Sequence, residues 1–268
     1  MKIFDCVMFR DELDMLECRL VQFEQFPAWR HVLVEAAVDH RGQPKPLVFE
    51  QNRERFAPWA GQIIHVVADE LPGMTGADPF DREAAQRDAT AAGLADADSD
   101  DWLILADVDE IPNEAAMSRM QGREQGICEM TLCCFAVDWV WGQMGASVLC
   151  AAGSVTSVSR ARRDGWGWQR FPGTGHHLSW LGGQAGIAAK TAAHCHSECD
   201  PDILTANADD ALYRRGANPF NRVRSGITGP PNRAPVDVDE TWPRYVWNQV
   251  IGKDPHCPVN WFRPREQA

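Results

Sequence analysis

Trp102-Leu103-Ile104-Leu105-Ala106-Asp107-Val108-Asp109-Glu110-Ile111-Pro112 decides the fold. Five apolar residues run without a break and then give way to carboxylates at 107, 109 and 110. A strand with one wet face alternates apolar and polar residues. A continuous apolar run suits a strand covered on both faces, as in parallel sheets flanked by helices. In open sheets of that kind, ligands bind beyond the carboxyl ends of the strands, which is where Asp107 and Asp109 fall. Two positions apart on an extended segment, these carboxylates point the same way and repel unless a cation sits between them. Hard divalent cations take such oxygen ligands and keep positions open for substrate phosphates. A metal-bound diphosphate at Asp107 and Asp109 is therefore one reading. An acidic turn in solvent is another, and a two-metal phosphatase or phosphoryl transferase is a third. No phosphate loop of the G-x-x-x-x-G-K-[ST] type is present.

Working outward, the first 112 residues alternate strands and helices. Residues 3–9 are an apolar, aromatic-rich strand. Residues 11–26 carry Leu13, Leu16, Leu20 and Phe23 at helical spacing, with Asp11 as the expected cap and Asp14 in the first turn. Strands follow at 31–36 and 62–67. A helix is expected at 81–94, capped by Asp81 and closed near Gly93, before the strand at 102–106. This succession predicts an α/β fold with a mostly parallel central sheet and helices on both faces. After Pro112 the pattern changes. Residues 128–140 read as a strand or hairpin. Residues 141–186 are rich in Gly, Trp and Ser with few helical signals. Residues 200–235 read as a short helix and a Pro/Gly-rich loop, and 241–250 as a last helix with Pro243 in its first turn. No linker separates the halves, so a single domain over 1–268 is expected.

Composition narrows the function. The 268 residues are 44% hydrophobic and 24% charged, enough for a full core without staples. A net charge of -12 and basic clusters as short as Arg160–Arg163 and Arg214-Arg215 argue against nucleic acid as a partner. No window reaches the roughly 18 apolar residues of a membrane span. Asp5 stands where a signal peptide would be apolar, so a cytoplasmic protein is expected. The nine cysteines, an odd number without framework spacing, read as reduced thiols, many of them buried. Eleven Trp stand against two Tyr, and eight of the eleven lie after residue 130, where flat rings suit sugar faces.

Several stretches carry a family resemblance. They are Lys2-Ile3-Phe4-Asp5-Cys6 running on to Asp11-Glu12-Leu13-Asp14-Met15-Leu16-Glu17, then Val34-Glu35-Ala36 and Gly42-Gln43-Pro44-Lys45-Pro46-Leu47. Glu50-Gln51-Asn52-Arg53-Glu54-Arg55-Phe56 and Ile63-Ile64-His65-Val66-Val67 follow, with Arg82-Glu83, Gln86-Arg87 and Asp107-Val108-Asp109-Glu110-Ile111-Pro112. Later come His177-Leu178-Ser179-Trp180-Leu181-Gly182-Gly183, His196-Ser197-Glu198 and Trp242-Pro243-Arg244-Tyr245. In these stretches the chain resembles the glycosyltransferases of family seventeen, the β-1,4-mannosyl-glycoprotein β-1,4-N-acetylglucosaminyltransferase group. The resemblance covers most of residues 2–250 in order, and departures concentrate in 120–176.

The resemblance implies a GT-A fold, with residues 1–112 as the nucleotide-sugar half and 113–268 as an irregular acceptor half. It implies a metal-dependent, inverting transfer of N-acetylglucosamine or a related sugar from a UDP-sugar to a glycan hydroxyl, with Mn²⁺ or Mg²⁺ as cofactor. Phe9, Glu35, Lys45, Arg87 and Asp107 are then the donor-binding candidates. A guanidinium such as that of Arg87 suits phosphate oxygens bidentately. Asp107, Asp109 and His196 are the metal-ligand candidates, with His194 second to His196. Two His and two Cys at 194–199 keep a zinc site open as a competing reading. An inverting transfer needs a base opposite the leaving group, for which Asp138 and Glu198 are the candidates. His177, Trp180, Gly182 and Gly183 are expected at the acceptor. The rival functions are a metal-dependent phosphohydrolase and a non-catalytic sugar-binding module.

Overall fold

The computed structural model describes residues 1–24, 29–69, 78–193, 227–228, 234–251 and 258–262. Strands β1 (Ile3–Phe9), β2 (Trp29–Ala36), β3 (Ile63–Ala68) and β4 (Trp102–Asp107) pair in parallel in the order β3-β2-β1-β4. Helix α1 (Leu13–Gln22) lies between β1 and β2, and α2 (Val48–Gln51) between β2 and β3. Helix α3 (Pro79–Asp88) and a 3-10 segment (Ala89–Leu94) precede β4. The continuous apolar run of β4 does face two cores. Trp102, Ile104 and Ala106 join one hydrophobic cluster with Leu16 and Leu20 of α1, while Leu103 and Leu105 join a second, against which Ala85 of α3 packs.

Two caps differ from expectation. Asp11 does not cap α1; its carboxylate accepts from Arg10 Nε at 2.8 Å, and Glu12 holds the cap position without a side-chain cap bond. Helix α3 starts earlier than expected, because Pro79 sits in its first turn and the Asp78 side chain accepts from the Phe80 N–H at 2.9 Å. Gly93 lets the 3-10 segment lie directly on the sheet, since a Cβ there would run into Val32 and Val66.

The sheet is not mostly parallel. Beyond β4 it continues through β7 (Trp139–Ala151), β6 (Gly126–Cys134), β8 (Arg170–Ser179) and β5 (Glu110–Pro112). The β4–β7, β7–β6 and β8–β5 pairs are antiparallel; only β6–β8 is parallel. For β6–β7 the reason is connection length. Only four residues, 135–138, separate β6 from β7, which forces a hairpin, whereas a parallel pair needs a crossover of a dozen residues or so. Nor is the stretch 141–186 irregular. Trp141, Gly142 and Gly145 fall in β7 and Gly173 and Gly175 in β8, and α5 (Val158–Asp164), capped by Ser157 through the Arg160 N–H at 3.1 Å, lies between them. Helix α4 (Glu114–Gln121) precedes β6, α6 (Gly183–Ala193) follows β8, and α7 (Arg244–Val250) begins just after Pro243. Two short strands, β9 (Ile227–Thr228) and β10 (Ala234–Pro235), add to β7. The rest of the expected helix-and-loop at 200–235 lies outside the described residues.

Candidate active site

From β1 the chain turns to β2 and β3 on one side of the sheet and returns to β4 on the other. Strand order reverses at β1, so a crevice opens beyond the carboxyl ends of β1 and β4. A cavity of about 200 Å³ lies there, lined by Met8 and Phe9 from β1 and by Asp107, Val108 and Asp109 from the end of β4. Lys45, Glu83 and Gln86 close one side, and His177, Ser179, Trp180 and Lys190 the other.

The two aspartates are held differently. Asp107 takes Arg87 Nη2 at 2.8 Å and stands 3.7 Å from Arg162 Nη2, with 40% of its side chain exposed. Burial opposes its ionisation, but Arg87 and then Arg162 outweigh it and hold the carboxyl at about 2. Asp109 is 9% exposed and takes Lys190 Nζ at 2.7 Å, with His177 Nε2 at 3.4 Å. There too burial is outweighed, by Lys190 first and His177 second, and the carboxyl lies far below the usual range. The same contact raises Lys190 despite its burial. Glu110 faces inward instead: it takes Arg162 Nη2 and, at 3.2 Å, Ser147 Oγ, and burial raises its carboxyl.

A buried ion cluster sets this turn from below. Asp5 on β1 takes Arg19 of α1 through Nε at 2.7 Å and Nη2 at 2.5 Å, and His31 Nδ1 at 2.8 Å. Arg19 Nη1 donates onward to the carbonyls of Glu110 at 2.5 Å and Asp107 at 3.3 Å. Spacing cannot reveal this clamp, because its partners lie on four separate segments.

The expected site residues divide on this geometry. Phe9, Lys45, Asp107, Asp109, His177 and Trp180 come together around the cavity. Arg87 is not on its lining; it is buried and acts on the cleft by holding Asp107. Glu35 is also off the lining. It is fully buried and accepts from Lys45 Nζ, His65 Nε2 and the Val48 and Phe49 N–H groups, so it braces the loop that carries Lys45. Asp138 stands in the β6–β7 turn and does not line the cavity. Gly182 and Gly183, at φ 97° and 64°, open α6 and turn the chain so that Lys190 faces Asp109. His194, His196 and Glu198 lie outside the described residues, as does the 194–199 zinc reading. Among the described residues no group of three or more His, Cys, Asp or Glu side chains is placed to hold a metal.

Arg162 and Lys190 were missed from sequence. Lys190 does leave a trace, as a lone charge in the helix Gly183-Gln184-Ala185-Gly186-Ile187-Ala188-Ala189-Lys190-Thr191-Ala192-Ala193. Arg162 sits in a basic run that reads as a solvated surface.

Comparison with known proteins adds the class. The model of Glycosyltransferase family 17 matches residues 1–131, from β1 into β6, and so takes in Phe9, Lys45, Arg87, Asp107 and Asp109. Over that segment, just under half of the chain, the match is to glycosyltransferase family 17, and it supports a glycosyltransferase acting with a sugar donor and a glycan acceptor. No curated protein matches the chain. Among the described residues no helix is long and apolar enough to cross a membrane.

Proposed function

We propose that the chain is a metal-dependent, inverting glycosyltransferase of GT-A type that moves N-acetylglucosamine or a related sugar from a UDP-sugar to a glycan hydroxyl. The observation that carries the reading is the position of Asp107 and Asp109 at the carboxyl end of β4, facing the crevice where strand order reverses. Arg10, Lys45 and Lys190 line the same cavity and supply positive charge for a diphosphate in a chain of net charge -12.

The donor set suits a hard divalent cation. Asp109 already holds a cation, the Lys190 ammonium at 2.7 Å, and Asp107 has an exposed edge two residues away. Asp107 and Asp109 would hold Mn²⁺ or Mg²⁺, and the ion would neutralise charge on the departing diphosphate. Around it the chain's own groups orient: Arg87 sets the Asp107 carboxylate, Arg19 sets the turn, and His177 sets Asp109. GlcNAc is the donor sugar we propose on the family resemblance.

The test is calorimetry of UDP-, GDP- and TDP-sugars with and without Mn²⁺. UDP-sugars should bind in a metal-dependent way, and Asp109→Asn should lose that binding at least tenfold. If no nucleotide sugar binds with metal present, the reading fails. Phosphate release without an acceptor would favour a phosphohydrolase. Sugar binding untouched by Asp109→Ala would favour a non-catalytic module.

A further inference from the structure

A transferase has to bring two substrates against one wall, so that the acceptor oxygen reaches the donor's anomeric carbon from the side opposite the leaving group. A second cavity, of about 340 Å³, lies against the first. The two share five lining residues: Arg10, Glu12, Asp109, Trp180 and Lys190. Beyond that wall the second cavity is lined by Leu13 and Met15 of α1, Gly186 and Ala189 of α6, Leu181 and Trp261. Two ion pairs stand at it, Arg55 with Asp14 at 2.5 Å and Arg10 with Asp11 at 2.7 Å. Apolar and aromatic surface beside planar charged groups is the chemistry that takes a saccharide, whose rings have apolar faces and hydroxyl edges.

We propose that the acceptor saccharide occupies this second cavity and that Glu12 is the base that accepts the proton of its attacking hydroxyl. The inference rests on the transferase reading above. The shared wall has two carboxylates. Asp109 is taken by Lys190 at 2.7 Å and His177 at 3.4 Å. Glu12 Oε2 accepts the N–H groups of Arg10 at 3.1 Å and Asp11 at 3.2 Å, which fixes the carboxylate plane. Its Oε1 accepts no hydrogen bond among the described residues, which leaves it for the substrate. In the step, the acceptor oxygen bonds to the anomeric carbon and the anomeric carbon–oxygen bond to the diphosphate breaks. Its electron pair leaves on the nucleoside diphosphate, and the hydroxyl proton passes to Glu12 Oε1. Asp138 and Glu198 then carry no part of the proton transfer.

Three variants test this. Ala189 is exposed on α6 and lines the second cavity alone, so Ala189→Trp fills that cavity without disturbing the core, and Ala189→Arg is a second filler. Glu12→Gln keeps an acceptor for the Arg10 and Asp11 N–H groups and removes the base. Three readouts apply: UDP calorimetry with Mn²⁺, saturation-transfer NMR of mannose-, N-acetylglucosamine- and galactose-terminated disaccharides without donor, and transfer from UDP-N-acetylglucosamine by mass spectrometry. Expected for either Ala189 variant is UDP affinity within about twofold of wild type and loss of the disaccharide signal. Expected for Glu12→Gln is unchanged binding of both ligands and transfer reduced about 10²–10⁴-fold, the usual contribution of a general base. A disaccharide signal that is absent from the wild-type protein, or that survives both Ala189 variants, overturns the cavity assignment even where UDP binds. Transfer by Glu12→Gln within tenfold of wild type overturns the base. A wild-type protein that binds disaccharide in an Ala189-sensitive way but binds no nucleotide supports the cavity and sinks the transferase reading instead.

Discussion

Asp109 meets a lysine ammonium at 2.7 Å in the place where the donor reading puts a metal ion. Two cations competing for one carboxylate give a direct prediction at this scale. Lys190→Ala should strengthen Mn²⁺ binding, because the ion no longer displaces an ammonium. A partly exposed pair is worth about 1 kcal/mol, so the gain should be about fivefold by calorimetry. Weaker binding in this variant would mean that Lys190 helps to hold the ion-bound ligand and does not compete with the ion. Trp180 shows why single residues are hard to read in isolation. The sequence suggests a platform for sugar stacking, yet the ring is buried, its backbone is left-handed at φ 61°, and Lys190 Nζ lies 5.7 Å from its ring centre. It shapes the wall between the two cavities through packing.

At the scale of elements, α1 and β8 each tie stability to the site. Arg19 joins α1 to β1 and to the carbonyls of the Asp107–Glu110 turn. Removing one partner of a buried ion pair leaves an uncompensated charge and costs about 3–5 kcal/mol. Arg19→Met should therefore lower Tm by about 6–20 °C in thermal unfolding, at about 2–4 °C per kcal/mol for a chain near this size. On β8, burial drives the His176 imidazole down to about 4, with Asp239 opposing, and the ring packs against Trp242 at 4.7 Å. The folded state thus keeps His176 neutral where the unfolded state, near 6.5, binds a proton. Its contribution is fully present above about pH 6.5 and falls away as pH drops toward 4. Through this one group, unfolding free energy should fall by about 3 kcal/mol over that window. Denaturant titrations at pH 4 and 7 check it. His176→Phe should flatten the slope, and an unchanged slope would remove His176 as its source.

At the scale of the molecule, the sheet that carries the site is also where the thiols sit. Cys6, Cys18, Cys128, Cys133, Cys134 and Cys150 are buried thiols, and burial pushes those of Cys128 and Cys150 up to about 12. A thiolate is the reactive form, so these cysteines should be inert in the folded protein. Labelling with a thiol reagent at pH 7.5, read by peptide mass spectrometry, should modify the six only after denaturant is added. Rapid native labelling of Cys128 or Cys150 would contradict this packing. The expectation of reduced, buried thiols holds for these six.

The local pattern of the chain determined what depends on neighbours in sequence. The strands near 3–9, 31–36, 62–67 and 102–106 stand within a few residues of expectation, and so does the acidic turn, because side-chain periodicity acts within one element. It also determined that Asp107 and Asp109 end a strand covered on both faces. Tertiary structure alone decided the rest. The β6–β7 hairpin and the antiparallel β4–β7 and β5–β8 pairs turned an expected mostly parallel sheet into a mixed one. Arg87 and Glu35, legible as polar candidates, became internal braces once burial left them only chain partners to satisfy. Arg162 and Lys190 reached the acidic pair from α5 and α6, more than 50 positions further along the chain. Spacing in sequence reports which residues share a face of one element. Only packing brings charges from distant elements within the few ångströms where they decide each other's state.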